Sequence, residues 1–132
     1  MKMMKTLLLL AIAILHLQAR ASTDLLLAEV AAIDIDPAGY WVSEKLDGVR
    51  AIWDGKVLRF RSGHQVPAPT WFIKALPAIP LDGELWLARG QFEALSGIVR
   101  TFPPKDLDWH RVRYEVFELP NAPGSFSERH LR

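Results

Sequence analysis

The chain reads as α+β, with largely antiparallel sheet and short helices. Three observations carry that reading. Apolar and polar residues alternate in Val112-Arg113-Tyr114-Glu115-Val116-Phe117, the period of a half-buried strand. Arg50-Ala51-Ile52-Trp53 and Lys56-Val57-Leu58-Arg59-Phe60 flank Asp54-Gly55, a pair that favours a two-residue type I′ hairpin. The stretches with helical spacing are short, because prolines bound them or a glycine weakens them.

Taken in order, Ser22-Thr23-Asp24 can cap a helix over residues 25–30, which is apolar on most sides. Pro37-Ala38-Gly39 ends that segment. Tyr40-Trp41-Val42-Ser43-Glu44 reads as a strand that delivers Lys45 to a turn. Asp47 and Gly48 suit that turn, since Gly accepts positive φ and Asp tolerates tight turns. After the hairpin, Pro67, Pro69, Pro77 and Pro80 bracket a helical turn or two at residues 70–76. Residues 81–87 form the next strand. Phe92, Leu95 and Val99 then recur at helical spacing over residues 91–100, with Gly97 as the weak point. Ser127-Glu128-Arg129-His130-Leu131-Arg132 reads as the first turn of a further helix.

The first segment concerns destination. Lys2 and Lys5 precede an unbroken apolar run of nine residues, Leu7 to Leu15, and Ala19-Arg20-Ala21 stands before Ser22. A basic head, an apolar centre and an A-x-A end are the parts of a secretory signal peptide. Nine residues are too few for a membrane span, which needs about 20. Residues 1–21 are therefore expected to be removed on export, leaving residues 22–132 as one domain without repeat or linker. Their loss takes away Lys2, Lys5 and Arg20 and no acid, so the net charge passes from +1 to −2. A nucleic-acid partner would then be held by a local patch, for which Arg100, Lys105, Arg111 and Arg113 are candidates; the alternative is a solvated charged face. There is no cysteine, so disulfides and thiolate metal sites are excluded. The histidines show no metal-ligand spacing, and no serine sits in a nucleophile motif.

The chemistry concentrates at Lys45-Leu46-Asp47-Gly48-Val49-Arg50. This K-x-D-G-x-R pattern, followed by Asp82-Gly83-Glu84-Leu85-Trp86 and Tyr114-Glu115-Val116-Phe117, resembles motifs I, III and IIIa of the covalent nucleotidyltransferases. That superfamily comprises DNA ligases, RNA ligases and capping enzymes. The longer matches, residues 43–51 and 81–86, look most like the minimal ATP-dependent DNA ligases that Gram-negative bacteria export to the periplasm. The resemblance implies an ATP-grasp-like adenylation domain, here incomplete.

It also implies roles. Lys45 would be the catalytic nucleophile that takes AMP from ATP, assisted by a divalent metal, Mg2+. A lysine amine is ordinarily protonated at neutral pH, so burial beside Trp41, the cation of Arg50 or the metal would have to favour its neutral form. Arg50 would contact the nucleotide through its planar fork. Glu84 would accept a ribose hydroxyl, Phe117 would stack on adenine, and Arg61 would meet substrate phosphates. Glu44 either lines the adenine site or is a paired surface acid; Asp47 either holds the loop or poises the lysine. Phe117-Glu118 departs from the family's usual Phe-Asp. The implied partners are ATP and nicked double-stranded DNA, the implied state a periplasmic monomer without stable membrane association. RNA ligase or capping activity, or a non-catalytic nucleotide-binding remnant, are the alternatives.

The family pattern continues past motif IIIa with a metal-binding glutamate, a paired lysine and an OB-fold domain, and this chain has none of them. It is expected to be a fragment, with the apolar face of Val112, Tyr114 and Val116 left uncovered. The metal ligands are unassigned.

Overall fold

The computed structural model describes residues 25–132. The expected signal peptide and the Ser22-Thr23-Asp24 cap lie outside the described residues. The chain divides into two units, Met1–Val30 and Ala31–Arg132. What is described of the first, residues 25–30, is neither helix nor strand, which corrects the helix expected there. Leu27 and Val30 are exposed, and a helix of six residues is not stable in water without an apolar face to pack. No helix among the described residues is long and apolar enough to cross a membrane.

The second unit is built on one antiparallel sheet. Its strands are β1 (Val49–Trp53), β2 (Leu58–Phe60), β3 (Leu81–Trp86) and β4 (Arg113–Glu118), in the order β2-β1-β3-β4. Four short helices accompany them: α1 (Thr70–Lys74), α2 (Phe92–Arg100), α3 (Asp106–Trp109) and α4 (Phe126–His130). The α+β, largely antiparallel reading therefore holds for the described residues.

Alternation decides which face is buried. Val49, Ala51 and Trp53 of β1 point to one side with Leu81 and Leu85 of β3, and all five are buried. Helix α2 packs on β1 and β3 through Leu95 and Val99, which are four residues apart and fully buried. Phe72 of α1 meets Trp109 of α3 edge-on at 4.9 Å, closing the core. Helix α3 has no counterpart in the sequence reading, yet its Trp109 is completely buried. Burying one aromatic of this size contributes about 1.5–3 kcal/mol, enough to stabilise a turn too short to show a period.

The hairpin is real but its turn differs. Trp53 pairs with Leu58, so the loop has four residues, and Lys56 and Val57 lie in it rather than in β2. Asp54 accepts hydrogen bonds from the Lys56 and Val57 amides at 2.9 and 2.7 Å. Gly55 has φ +94°, while among the described residues Asn121 is the only non-glycine with positive φ. A type I′ turn needs positive φ at both central residues, and Asp54 supplies a side-chain turn instead.

The strand expected at residues 40–44 does not form either. A 3-10 turn at Pro37–Gly39, capped by Asp36, ends the preceding segment as expected, but residues 41–47 pair with no strand. Trp41 and Val42 are exposed, so no buried face rewards an extended conformation here.

The face thought to lack cover is partly covered. Val112 is buried, Tyr114 is half-buried and Val116 is exposed. The Tyr114 ring crosses Gly83 so that its hydroxyl reaches the carbonyls of Ala51 at 2.8 Å and Leu81 at 3.2 Å. Burial pushes the Tyr114 hydroxyl pKa up, which keeps it a donor. A side chain at Gly83 would stand 2.5 Å from the Glu115 carbonyl and 2.9 Å from the Tyr114 ring. Gly83→Ala is therefore expected to lower stability by about 2 kcal/mol or more, read by chemical denaturation; a substitution that leaves the midpoint unchanged would contradict this packing.

Candidate nucleotide and DNA site

The opposite face of the sheet carries the polar residues. Pairing of β1 with β3 sets Arg50 opposite Glu84 and Ile52 opposite Asp82, so Arg50 and Asp82 are diagonal neighbours on one face. Arg50 donates to Asp82 through Nε at 3.0 Å and through Nη2 at 2.6 Å. The Asp82 side chain is only 2 % exposed and that of Arg50 19 %. This bond, chiefly, holds the guanidinium in its charged form. Asp82 thus fixes the arginine assigned to the nucleotide, and sequence reading gave it no role. The signal was available: Asp82 lies two residues from Glu84, hence on the same strand face.

Phe117 joins them through an irregularity. The register of β3 and β4 shifts between Asp82 and Gly83, which face Glu118 and Val116. Phe117 is the extra residue, and a bulge of this kind re-aims a side chain. Its ring centroid lies 5.4 Å from the Arg50 guanidinium carbon, within cation–π range, and the residue is 43 % exposed.

Lys45 lies in the irregular segment and is exposed. The expected burial beside Trp41 is not found. The Trp41 indole donates to Ser127 Oγ at 2.9 Å and lies 5.1 Å from the His130 ring of α4. Helix α4 is in turn tied to β4, where Arg129 bonds both oxygens of buried Glu118 at 2.7 and 2.6 Å. Its start is fixed by a Ser125–Glu128 capping box. Glu44 forms two bonds to Arg89, at 2.7 and 2.6 Å, which is the paired-acid alternative in this structure. Those bonds draw its pKa below the usual carboxylate range.

Gly48 ends the segment against β3. A side chain there would meet the Leu85 carbonyl and, at 2.7 Å, Glu84 Cγ. Its φ is not positive, so the glycine is required by close approach rather than by the turn expected of it. The same approach half-buries Glu84. Burial raises the Glu84 pKa, against the lowering pull of the Gly48 amide, Arg50 and Lys45. Lys45, Arg50, Glu84 and Phe117 therefore belong to one electrostatic neighbourhood.

Arg61 follows β2 and lines a different side. With Gly48, Arg50, Phe60, Ser62 and Arg100 it borders a cleft of about 300 Å³. The described residues contain no group of three or more metal-capable side chains, so they provide no cage for a divalent ion. A metal carried on nucleotide phosphates would need only one or two carboxylates.

The site thus holds an exposed lysine, an arginine fixed by an acid, a half-buried glutamate and an exposed aromatic. Comparison with known proteins finds similarity to DNA ligases. No family model matches the sequence. Over 112 residues, 84 % of the chain, it is 41 % identical to the DNA ligase of Haemophilus influenzae, of which it spans 40 %. It is also similar to a solved structure described as "DNA binding with a minimal scaffold: Structure-function analysis of Lig E DNA ligases". There the identity is 48 % and the TM-score 0.65, over 73 % of this chain and 38 % of that one. The chain thus spans about two fifths of the length of the DNA ligases it matches.

The Glu84 environment gives a titration with a known sign. Its folded-state pKa lies above the unfolded value, so this carboxyl favours the folded chain while protonated and costs stability as pH rises through that interval. In a carbon-detected NMR titration Glu84 is expected above the ordinary glutamate range. Lys45→Ala, which removes a cation that lowers it, is expected to move it further up. A downward movement would show that Lys45 does not act on Glu84.

Proposed function

We propose that the chain is the motif I to IIIa part of an ATP-dependent DNA ligase adenylation domain. The observation that carries this reading is the Lys45-to-Arg50 stretch beside Glu84 and Phe117, in a chain similar to DNA ligases. In the reaction, Lys45 Nζ attacks the α-phosphorus of ATP. A P–N bond forms, the P–O bond to pyrophosphate breaks in line, and the amine proton goes to solvent. AMP then passes to the 5′-phosphate of a nick, and the 3′-hydroxyl displaces it to seal the strand.

The residues divide the work. Arg50, pre-aligned by Asp82, orients the nucleotide. Glu84 accepts from the ribose, and the exposed face of Phe117 is available to adenine, a contact of about 1–3 kcal/mol. Arg61 meets phosphate. A bound Mg2+ would neutralise charge on the triphosphate. We read the chain as a fragment of a ligase that acts on nicked duplex in repair, replication or recombination. With the signal-peptide pattern of residues 1–21, it would act in the periplasm as a monomer without stable membrane attachment. Resemblance to DNA ligases favours DNA over RNA as the substrate.

Incubation with α-labelled ATP and magnesium, followed by peptide mapping, tests the proposal in a ligase containing this segment. Label is expected on Lys45 alone and is expected to vanish in Lys45→Ala; label that persists there would place the nucleophile elsewhere. Arg50→Lys keeps the charge but not the two-bond geometry and should weaken nucleotide binding at least about tenfold.

A further inference from the structure

We infer that Arg100 is a second phosphate-binding residue, which acts with Arg61 on a phosphate seated in the cleft beside Gly48. The inference rests on the ligase reading for its ligand and on the cleft itself for its geometry.

Three arginines border this cleft, Arg50, Arg61 and Arg100, and their charges are not equivalent. Arg50 is neutralised by Asp82 at 2.6 Å. Neither Arg61 nor Arg100 forms an ion pair with a carboxylate among the described residues. Two uncompensated positive charges therefore converge on one concavity. Such an arrangement raises the local concentration of anions.

Arg100 is also held in place. It is the last residue of α2, its Nε donates to Ser96 Oγ at 3.1 Å, and its guanidinium carbon lies 5.4 Å from the Phe60 ring centroid. Ser96 occupies Nε alone, and the cation–π contact keeps the fork beside Phe60. The Nη groups remain to bond a phosphate oxygen pair, for which a planar fork is suited. Gly48 lines the same cleft without a side chain, and Ser62 adds a hydroxyl at its rim. The chemistry selected is a phosphate oxyanion, from either the DNA backbone or the nucleotide triphosphate.

The test measures binding of this chain to a 5′-phosphorylated nicked duplex by fluorescence anisotropy across a salt series, and to ATP by calorimetry. Arg100→Ala and Arg100→Lys are compared with wild type, with thermal melts alongside. If DNA supplies the phosphate, Arg100→Ala weakens duplex binding roughly tenfold and reduces the salt slope by about one, with ATP binding unchanged. If the nucleotide supplies it, the loss falls on ATP instead. Arg100→Lys retains charge and is expected to recover only part of either loss, which also covers the case in which the alanine variant fails to fold. Unchanged binding of both ligands by a folded Arg100→Ala protein overturns the inference, as does a wild-type chain that binds neither. Neither readout needs adenylylation, so absence of label on Lys45 would defeat the ligase reading without touching this one.

Discussion

The buried Arg50–Asp82 pair is the constraint on which the polar face depends. Asp82 is almost fully out of water, and an ionised carboxylate at that depth is costly unless it is paired and hydrogen-bonded. The two bonds from Arg50 satisfy it. In the same geometry Arg50 cannot swing away, so it presents a fixed surface to Phe117. The β4 bulge sets Phe117 against Asp82 and Gly83 of β3, and all three features follow from how β3 sits between β1 and β4. A buried ion pair is a weak source of net stability, and its better attested use is to specify one arrangement among several. Here that arrangement is the register of the strands bearing Arg50, Glu84 and Phe117.

Lys45 is held differently. Its segment has no strand partner and is tethered at intervals: Trp41 to α4, Glu44 to Arg89, Gly48 against β3. Exposed backbone with few buried contacts opens at low free-energy cost. The Glu118–Arg129 pair adds to this arrangement, because it secures α4 and thereby one of the tethers. That pair draws the Glu118 pKa down, so its contribution is present above the unfolded carboxylate pKa and is lost as pH falls through the folded value.

Much of this was legible in the residues. Alternation located β4, the flanks of Asp54-Gly55 located β1, and helical spacing located α2 to within a residue, because such periods report a buried face directly. The motif residues Arg50, Glu84 and Phe117 do converge, Arg50 and Glu84 through antiparallel pairing and Phe117 through the β4 bulge. What could not be read was set by tertiary contact. Asp54-Gly55 was read as a two-residue type I′ turn, and the Asp54 side chain sets a four-residue loop instead. Residues 25–30 and 40–44 had the composition of regular elements but no surface to bury. Helix α3 is anchored by the burial of Trp109. The pairing of Glu44 with Arg89, 45 residues apart, leaves no local trace.

The central claim is that Asp82 and Arg50 act as one unit, and a double-mutant cycle measures this most directly. Stability to urea would be determined for wild type, Arg50→Met, Asp82→Asn and the double variant. The account predicts that each single change costs about 3 kcal/mol or more, because it strands a buried charge or leaves its partner unsatisfied, and that the double variant recovers much of that loss. A coupling energy below about 0.5 kcal/mol, the value for independent sites, would contradict it.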